Sequence, residues 1–256
     1  MARIRPVRHE DRLTLVEHLD ELRTRLIVCG ITIAVAFGLC FWQNHFILDL
    51  LNEPLPAGRE PLTLSVTEPF ITTMTVSAYM ALVLAAPVVL YQLYAFVLPA
   101  FSPTERRVAL PILMLFPVLF IGGIVFGYFV VLGPAVKFLT NFNDSQFEIQ
   151  VRARDYYSFV SLTLLSMGLL FQIPMVIIAL TKLGIVTPRQ LRRSRRYSYL
   201  GIAVLAALLP TVDPVTMVLE MVPLLILYEL SIVLASLLGR PKSDPAPATV
   251  TPEGSG

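Results

Sequence analysis

Residues 205–217, LAALLPTVDPVTM, decide how the last third of this chain folds. Before them the apolar run 197–209 holds 13 residues, and after them the run 215–238 holds 24. Two prolines flank Asp213 within five residues, and proline both breaks a helix and presets a turn. The region therefore reads as a hairpin of two helices, not as one long span. Thirteen residues at 1.5 Å each cover only about 20 Å, against roughly 30 Å of hydrocarbon. The bilayer must thin locally for the first of the pair to cross.

Four further runs lie upstream, at 22–42, 74–98, 108–132 and 159–180, each near the 20 or so apolar residues a crossing needs. With 55% hydrophobic and 15% charged residues and a mean hydropathy of +0.72, the chain is more apolar than a soluble domain requires. The expected fold is all-α, a polytopic membrane protein with six transmembrane helices. If all six cross, one side receives sixteen of the 20 Lys and Arg residues, and the other only Arg59, Lys137, Arg152 and Arg154. Basic residues mark the cytoplasmic side, so both termini are expected there. Prolines 87, 117, 174 and 223 fall inside the runs and are expected to kink them, giving a concave wall.

The N-terminal segment has neither a short apolar core nor a small-residue cleavage site, so the first run is expected to be retained. Residues 10–25 are amphipathic and are expected to lie at the interface before entering span one, with Leu15, Leu19, Leu22 and Leu26 on one face. Residues 1–240 then form one membrane domain, and 241–256, rich in Pro, Ala and Ser, a disordered tail. Between spans one and two, the stretch around residues 45–55 predicts a short helix along the outer surface. Cys29 and Cys40 stand eleven helical steps apart, about 16 Å, too far to bridge.

Enzyme signatures are missing. There is no HExxH, Gly-x-Ser-x-Gly, Walker A, metal-spaced Cys/His cluster or pair of intramembrane aspartates. No catalytic residue, metal, cofactor or nucleic-acid partner is expected. Interest passes to acids near the arginine-rich face. Glu21 and Arg25 are i,i+4 partners on a helix, which on its own is an ordinary solvated ion pair. In FVLPAFSPTERRVALP, residues 96–111, Arg106 and Arg107 hold the loop inside, while Glu105 contributes little to orientation. It is either a local partner of those arginines or a docking point for a cationic ligand, since a guanidinium pairs bidentately with a carboxylate. Polar groups within the apolar runs are Gln172, Glu220 and Glu229, with Asp213 at the outer turn; each is costly in lipid and should meet protein, water or a partner.

Six ordered motifs carry a resemblance: HLDELRTRL, LAAPVVLYQLYAFVLPAFSPTERR, FGYFVV, FQIPMVI, QLRRSRRYSYLGIA and LLPTVDP. Together, over residues 12 to 239, they resemble the TatC family of the twin-arginine protein translocase. The resemblance implies a receptor and core subunit that binds signal peptides bearing paired arginines and helps move folded proteins across a prokaryotic plasma membrane, driven by the proton-motive force. It also implies a glove-shaped wall with short fifth and sixth spans. Glu105 matches the family's signal-binding glutamate, and Glu21 and Arg23 its N-terminal motif. Gln172 stands where a span-four glutamate is frequent, Asp213 matches the outer-turn aspartate, and Glu229 an acid of span six. Implied partners are single-span subunits of the TatA and TatB type, for which Gln172 is expected to present a lipid-facing hydrogen-bonding group, and further copies of the chain. The competing reading is a secondary transporter or channel for a small solute; broken helices suit it, but no inverted repeat relates spans one to three to spans four to six.

Overall fold

The computed structural model describes residues 15–56, 58–97, 115–147, 149–182, 184–209 and 213–238. The elements are α1 (Leu15–Trp42), α2 (Asn44–Asn52), α3 (Glu68–Val97), α4 (Leu115–Phe126), a π-helical segment (Gly127–Leu132), α5 (Gly133–Asn141), α6 (Ala153–Leu170), α7 (Ile173–Lys182), α8 (Pro188–Arg193), α9 (Arg195–Leu208) and α10 (Pro214–Leu238). Among the described residues the only extended pairing is an isolated bridge between Leu62 and Arg152. Five stretches are long and apolar enough to cross a membrane: His18–Trp42, Glu68–Phe96, Leu115–Asn141, Ala153–Thr181 and Pro214–Ser236.

The terminal hairpin forms. In α9, Arg195 and Tyr199 meet Glu229 of α10 while Ile202 packs near Leu224, so the two helices run antiparallel. With 14 residues, α9 is only about 21 Å long. The sixth span, expected to be short, is not: α10 has 25 residues, about 37 Å, and continues through Pro223. Its apolar run has no second turn signal after Asp213, and Pro223 costs it one ladder bond without ending it. Pro87 likewise sits inside an unbroken α3, and Pro117 in the first turn of α4. Of the four expected interruptions, only the one at Pro174 is a break, with Phe171 and Gln172 in a turn between α6 and α7.

Residues 15–25 run into span one as the first turns of a continuous 28-residue α1. No proline or glycine separates Leu15 from Cys29, so nothing ends the helical ladder where the polarity changes. Span three contains a π-helical segment that the sequence reading missed. Pro134, two residues after its end, has no N–H for the carbonyl of Val130, so the wide turn falls where the α ladder is already one bond short.

Packing divides into an outer and an inner core. The outer core gathers Leu51, Leu132, Val136, Tyr156, Val160 and Leu164, which docks the surface helix α2 against the start of α6. Polar bonds reinforce it: Tyr156 donates to the carbonyl of Leu51 (2.7 Å), Tyr157 to Asn52 Oδ1 (2.9 Å) and Tyr128 to Glu53 Oε2 (2.7 Å). The outer loops are joined by backbone bonds between Leu62 and residues 151 and 153, and by the ion pair of Arg152 Nε with Glu68 Oε1 at 2.9 Å, which holds the guanidinium above its ordinary pKa. The inner core joins Ala86, Leu90, Phe116, Phe120, Met175 and Ile178. Its crossing of α4 over α6 requires two glycines. A Cβ on Gly123 would sit 2.5 Å from the Met167 carbonyl oxygen, and one on Gly168 2.7 Å from the Phe120 ring. Small residues at such crossings let membrane helices approach closely. Both cysteines are free.

Candidate functional site

The site grows from the first turns of α1 where they lie against the last turns of α3. Arg25 is the organising group. Its Nε donates to Glu21 Oε1 at 3.0 Å, its Nη1 to Gln92 Oε1 at 2.9 Å, and its Nη2 to the same Glu21 oxygen and to the carbonyl of Ala95 at 3.3 Å. Four acceptor contacts hold one guanidinium, so the i,i+4 pair read from sequence is fixed to a second helix. Beside it His18 stacks on Phe96, ring centroids 4.3 Å apart, with its Nδ1 3.6 Å from Glu21 Oε2. That distance is too long for a hydrogen bond. Glu21 therefore has one oxygen saturated by Arg25 and a second carrying no hydrogen bond among the described residues, on a side chain that is 26% exposed.

Phe96 and Val97 end α3, and Glu105 follows Val97 by eight residues. Glu105, Arg106 and Arg107 lie outside the described residues. Arg23 is not part of the cluster. Two positions from Glu21 on a helix, it points to another face, into a shallow groove with Leu19, Leu22, Leu26 and Ile27.

The remaining predicted positions are dispersed. Gln172 is 5% exposed, facing protein as its cost in lipid implied and not presented to lipid for a single-span partner as expected. The break at Pro174 turns its side chain inward, where Nε2 donates to the Phe116 carbonyl at 3.2 Å and Oε1 has no hydrogen-bond partner. Asp213 is buried and caps α10, its Oδ1 accepting from the N–H of Thr216 at 2.7 Å, with Pro214 in the first helical position. Glu229 accepts from Arg195 Nη2 at 2.7 Å and from the Tyr199 hydroxyl at 2.6 Å, so it is a hairpin clasp near the arginine-rich end. Glu220 and Thr216 are fully buried in the outer half of α10.

Sequence reasoning missed Gln92 and His18 as supports of Glu21. The signal for Gln92 was present, a single amide in the apolar run LVLAAPVVLYQLYAF, where a polar group needs a partner. No group of His, Cys, Asp and Glu among the described residues is arranged to hold a metal ion.

The arrangement can offer carboxylate oxygens to a cation at one end of an apolar bundle; it has no nucleophile with an activating base. The family model described as "Sec-independent protein translocase protein (TatC)" matches residues 17–223. A Sec-independent protein translocase protein TatC of Aquifex aeolicus is 36% identical over 237 residues, covering 91% of this chain and 98% of that one. The TatC of Escherichia coli K12 is 35% identical over 227 residues, covering 87% and 88%. A crystal structure of a twin-arginine translocase receptor, TatC in the detergent DDM, superposes with a TM-score of 0.77 at 36% identity, covering 86% of this chain and 99% of the other. With the fold and most of the length shared, the chain belongs to the TatC family of Sec-independent protein translocase proteins.

Proposed function

We propose that this chain is the receptor subunit that recognises export signals carrying adjacent arginines, through Glu105 and Glu21. As a translocase component it is a multi-pass transport protein and not an enzyme, working with other subunits and with signal peptides as its substrates. One observation carries the assignment of Glu21: Arg25, Gln92 and Ala95 fix it against the end of α3, from which the chain enters the segment bearing Glu105. A guanidinium brought to a partly dehydrated interface gains charge-assisted hydrogen bonds from a carboxylate, and two carboxylates on adjoining elements match two guanidinia.

Arg25 already occupies Glu21 Oε1, so a ligand would use Oε2 or displace Arg25, which would keep its bonds to Gln92 and Ala95. Glu105 is the first anchor in this reading and Glu21 the second. The finer proposal adds a plasma-membrane location, single-span partners of the TatA and TatB type, self-association, and transport of folded cargo driven by the proton-motive force. Gln172 leaves the partner surface because its side chain is buried, its Nε2 bonded to Phe116; Arg23, exposed beside an apolar groove, stays as a peripheral contact. The small-solute transporter is not favoured, since family membership covers most of the chain.

A crosslinking scan over residues 15–26 and 100–107 against a twin-arginine signal peptide tests the reading. Adducts should cluster around Glu21 and Glu105, and Glu105→Lys should abolish them while the protein still inserts. An undiminished yield in that variant refutes the receptor role of Glu105.

A further inference from the structure

We infer that His18 is a further binding residue of the signal site: its neutral Nδ1 and Glu21 Oε2 together hold one arginine of the export signal, and protonation of His18 closes that subsite. This deepens the receptor reading and rests on it. The two acceptors stand three residues apart on α1, where side chains are neighbours, with Nδ1 3.6 Å from Oε2. Two acceptors that face each other without a bond call for a donor between them. The planar fork of a guanidinium presents N–H groups side by side on adjacent nitrogens, which suits a pair of separate acceptors better than a single ammonium nitrogen does. The other carboxylate oxygen does not compete, because Oε1 already accepts from Arg25 Nε at 3.0 Å. The resident guanidinium and the incoming one thus take opposite oxygens of one carboxylate.

The last turns of α3 hold His18 in place. Its ring stacks on Phe96 with centroids 4.3 Å apart and planes 12° from parallel. One turn earlier on the same face, Gln92 accepts from Arg25 at 2.9 Å, so α3 fixes the groups on both sides of Glu21. The side chains of His18 and Glu21 remain 39% and 26% exposed, open to a peptide from the end of the bundle.

Charge on the ring decides whether the subsite exists. Histidine is the side chain whose charge changes between about pH 5 and 8. Neutral, it has one acceptor nitrogen; protonated, it has two donors and no acceptor. The Nδ1–H then donates to Glu21 Oε2 itself, and the added charge repels an arriving guanidinium. Affinity is therefore complete at the alkaline end and is lost as pH falls. Among the described residues α1 packs on α3 and α2. The α3 face that it meets offers Gln92, Ala95 and Phe96, none of which titrates, while Tyr91 and Tyr94 lie off that face. Helix α2, with His45 and Asp49, adjoins the far end of α1. On α1 the charged neighbours are Glu21 and Arg25, and Asp20 and Arg23 point elsewhere. The subsite is open when the arginine-rich side of the protein is alkaline and shuts when that side acidifies.

Equilibrium binding of a labelled twin-arginine peptide to the full chain in nanodiscs, measured from about pH 8 to about pH 5.5, tests this. The native chain should lose about tenfold in affinity over that range, the loss of one hydrogen bond to a charged group. His18→Phe keeps the stack on Phe96 but offers no acceptor, and should bind about tenfold more weakly than the native chain at the alkaline end, with a flat pH profile. His18→Gln supplies an acceptor that does not titrate, and should recover part of that affinity while staying flat. Full affinity of His18→Phe at the alkaline end overturns the inference and leaves His18 a stacking residue only. A native-like pH profile in His18→Gln overturns it as well. Glu21→Gln separates the two levels: if it weakens binding and His18→Phe does not, this inference alone fails, whereas an affinity unchanged by Glu21→Gln removes the receptor role of Glu21 and the inference with it.

Discussion

Two neighbouring glycines predict opposite effects from the same methyl group. At Gly123 a Cβ would lie 2.5 Å from the Met167 carbonyl oxygen and 2.9 Å from Phe171; at Gly122 nothing comes within 4 Å. A backbone oxygen cannot step aside as a flexible side chain can, so Gly123→Ala must push α4 away from α6. Overpacking of this kind costs about 1–3 kcal/mol. Gly122→Ala meets open space on the same helix and should gain roughly 0.5–1 kcal/mol, because glycine is the poorer helix former. The predicted difference between the two variants is therefore about 1.5–4 kcal/mol, combining those ranges. Reversible unfolding of each variant in mild detergent, followed by circular dichroism, measures it. Equal stabilities, or Gly122→Ala as the weaker of the two, would refute the account of the α4–α6 crossing and with it the placement of the inner core.

Other expectations concern single side chains. Asp213→Ala should cost about 1 kcal/mol of stability through loss of the α10 cap, while Asp213→Asn should retain most of it; the same unfolding assay separates them. Glu21→Gln should weaken binding of a twin-arginine signal peptide by about tenfold, the loss of one hydrogen bond to a charged group, and Arg25→Ala, which cuts Glu21 loose from Gln92 and Ala95, should weaken it as well. Fluorescence anisotropy with a labelled peptide reads both, and binding undiminished in Arg25→Ala would overturn the idea that Arg25 positions Glu21 against α3. Gln172→Leu should change unfolding stability by no more than about 1 kcal/mol, since one hydrogen bond is lost but a buried acceptor without a partner is removed with it. A copurification series with a single-span subunit should show no change in that variant.

Much of the architecture was legible because bilayer thickness turns apolar run length into a count of crossings, and the distribution of arginine orients them. The hairpin at Asp213 was legible from its flanking prolines, and the Glu21–Arg25 pair from helical spacing. Less visible was anything set by contact between helices. The π-helical segment lies beside Pro134, which apolar run length does not register, and the fate of Gln172 depends on which way the break at Pro174 turns it. Proline inside an apolar run did not announce its effect: at Pro87 and Pro223 the helix continues, and at Pro174 it does not. Gln92 is the instructive omission, since its partner Arg25 lies 67 residues away. Local pattern shows that such an amide needs a bond, and only the fold shows that the bond orients a carboxylate of the site.

A double-mutant cycle tests the central claim most directly, pairing Glu105→Gln and Glu21→Gln with removal of each arginine in turn from a signal peptide, read as equilibrium affinity for the full chain in nanodiscs. Direct pairing predicts a coupling of at least about 1 kcal/mol between Glu105 and one of the two peptide arginines, and a smaller coupling between Glu21 and the other. Strictly additive losses at both carboxylates would mean that neither touches the arginines, and would contradict the account.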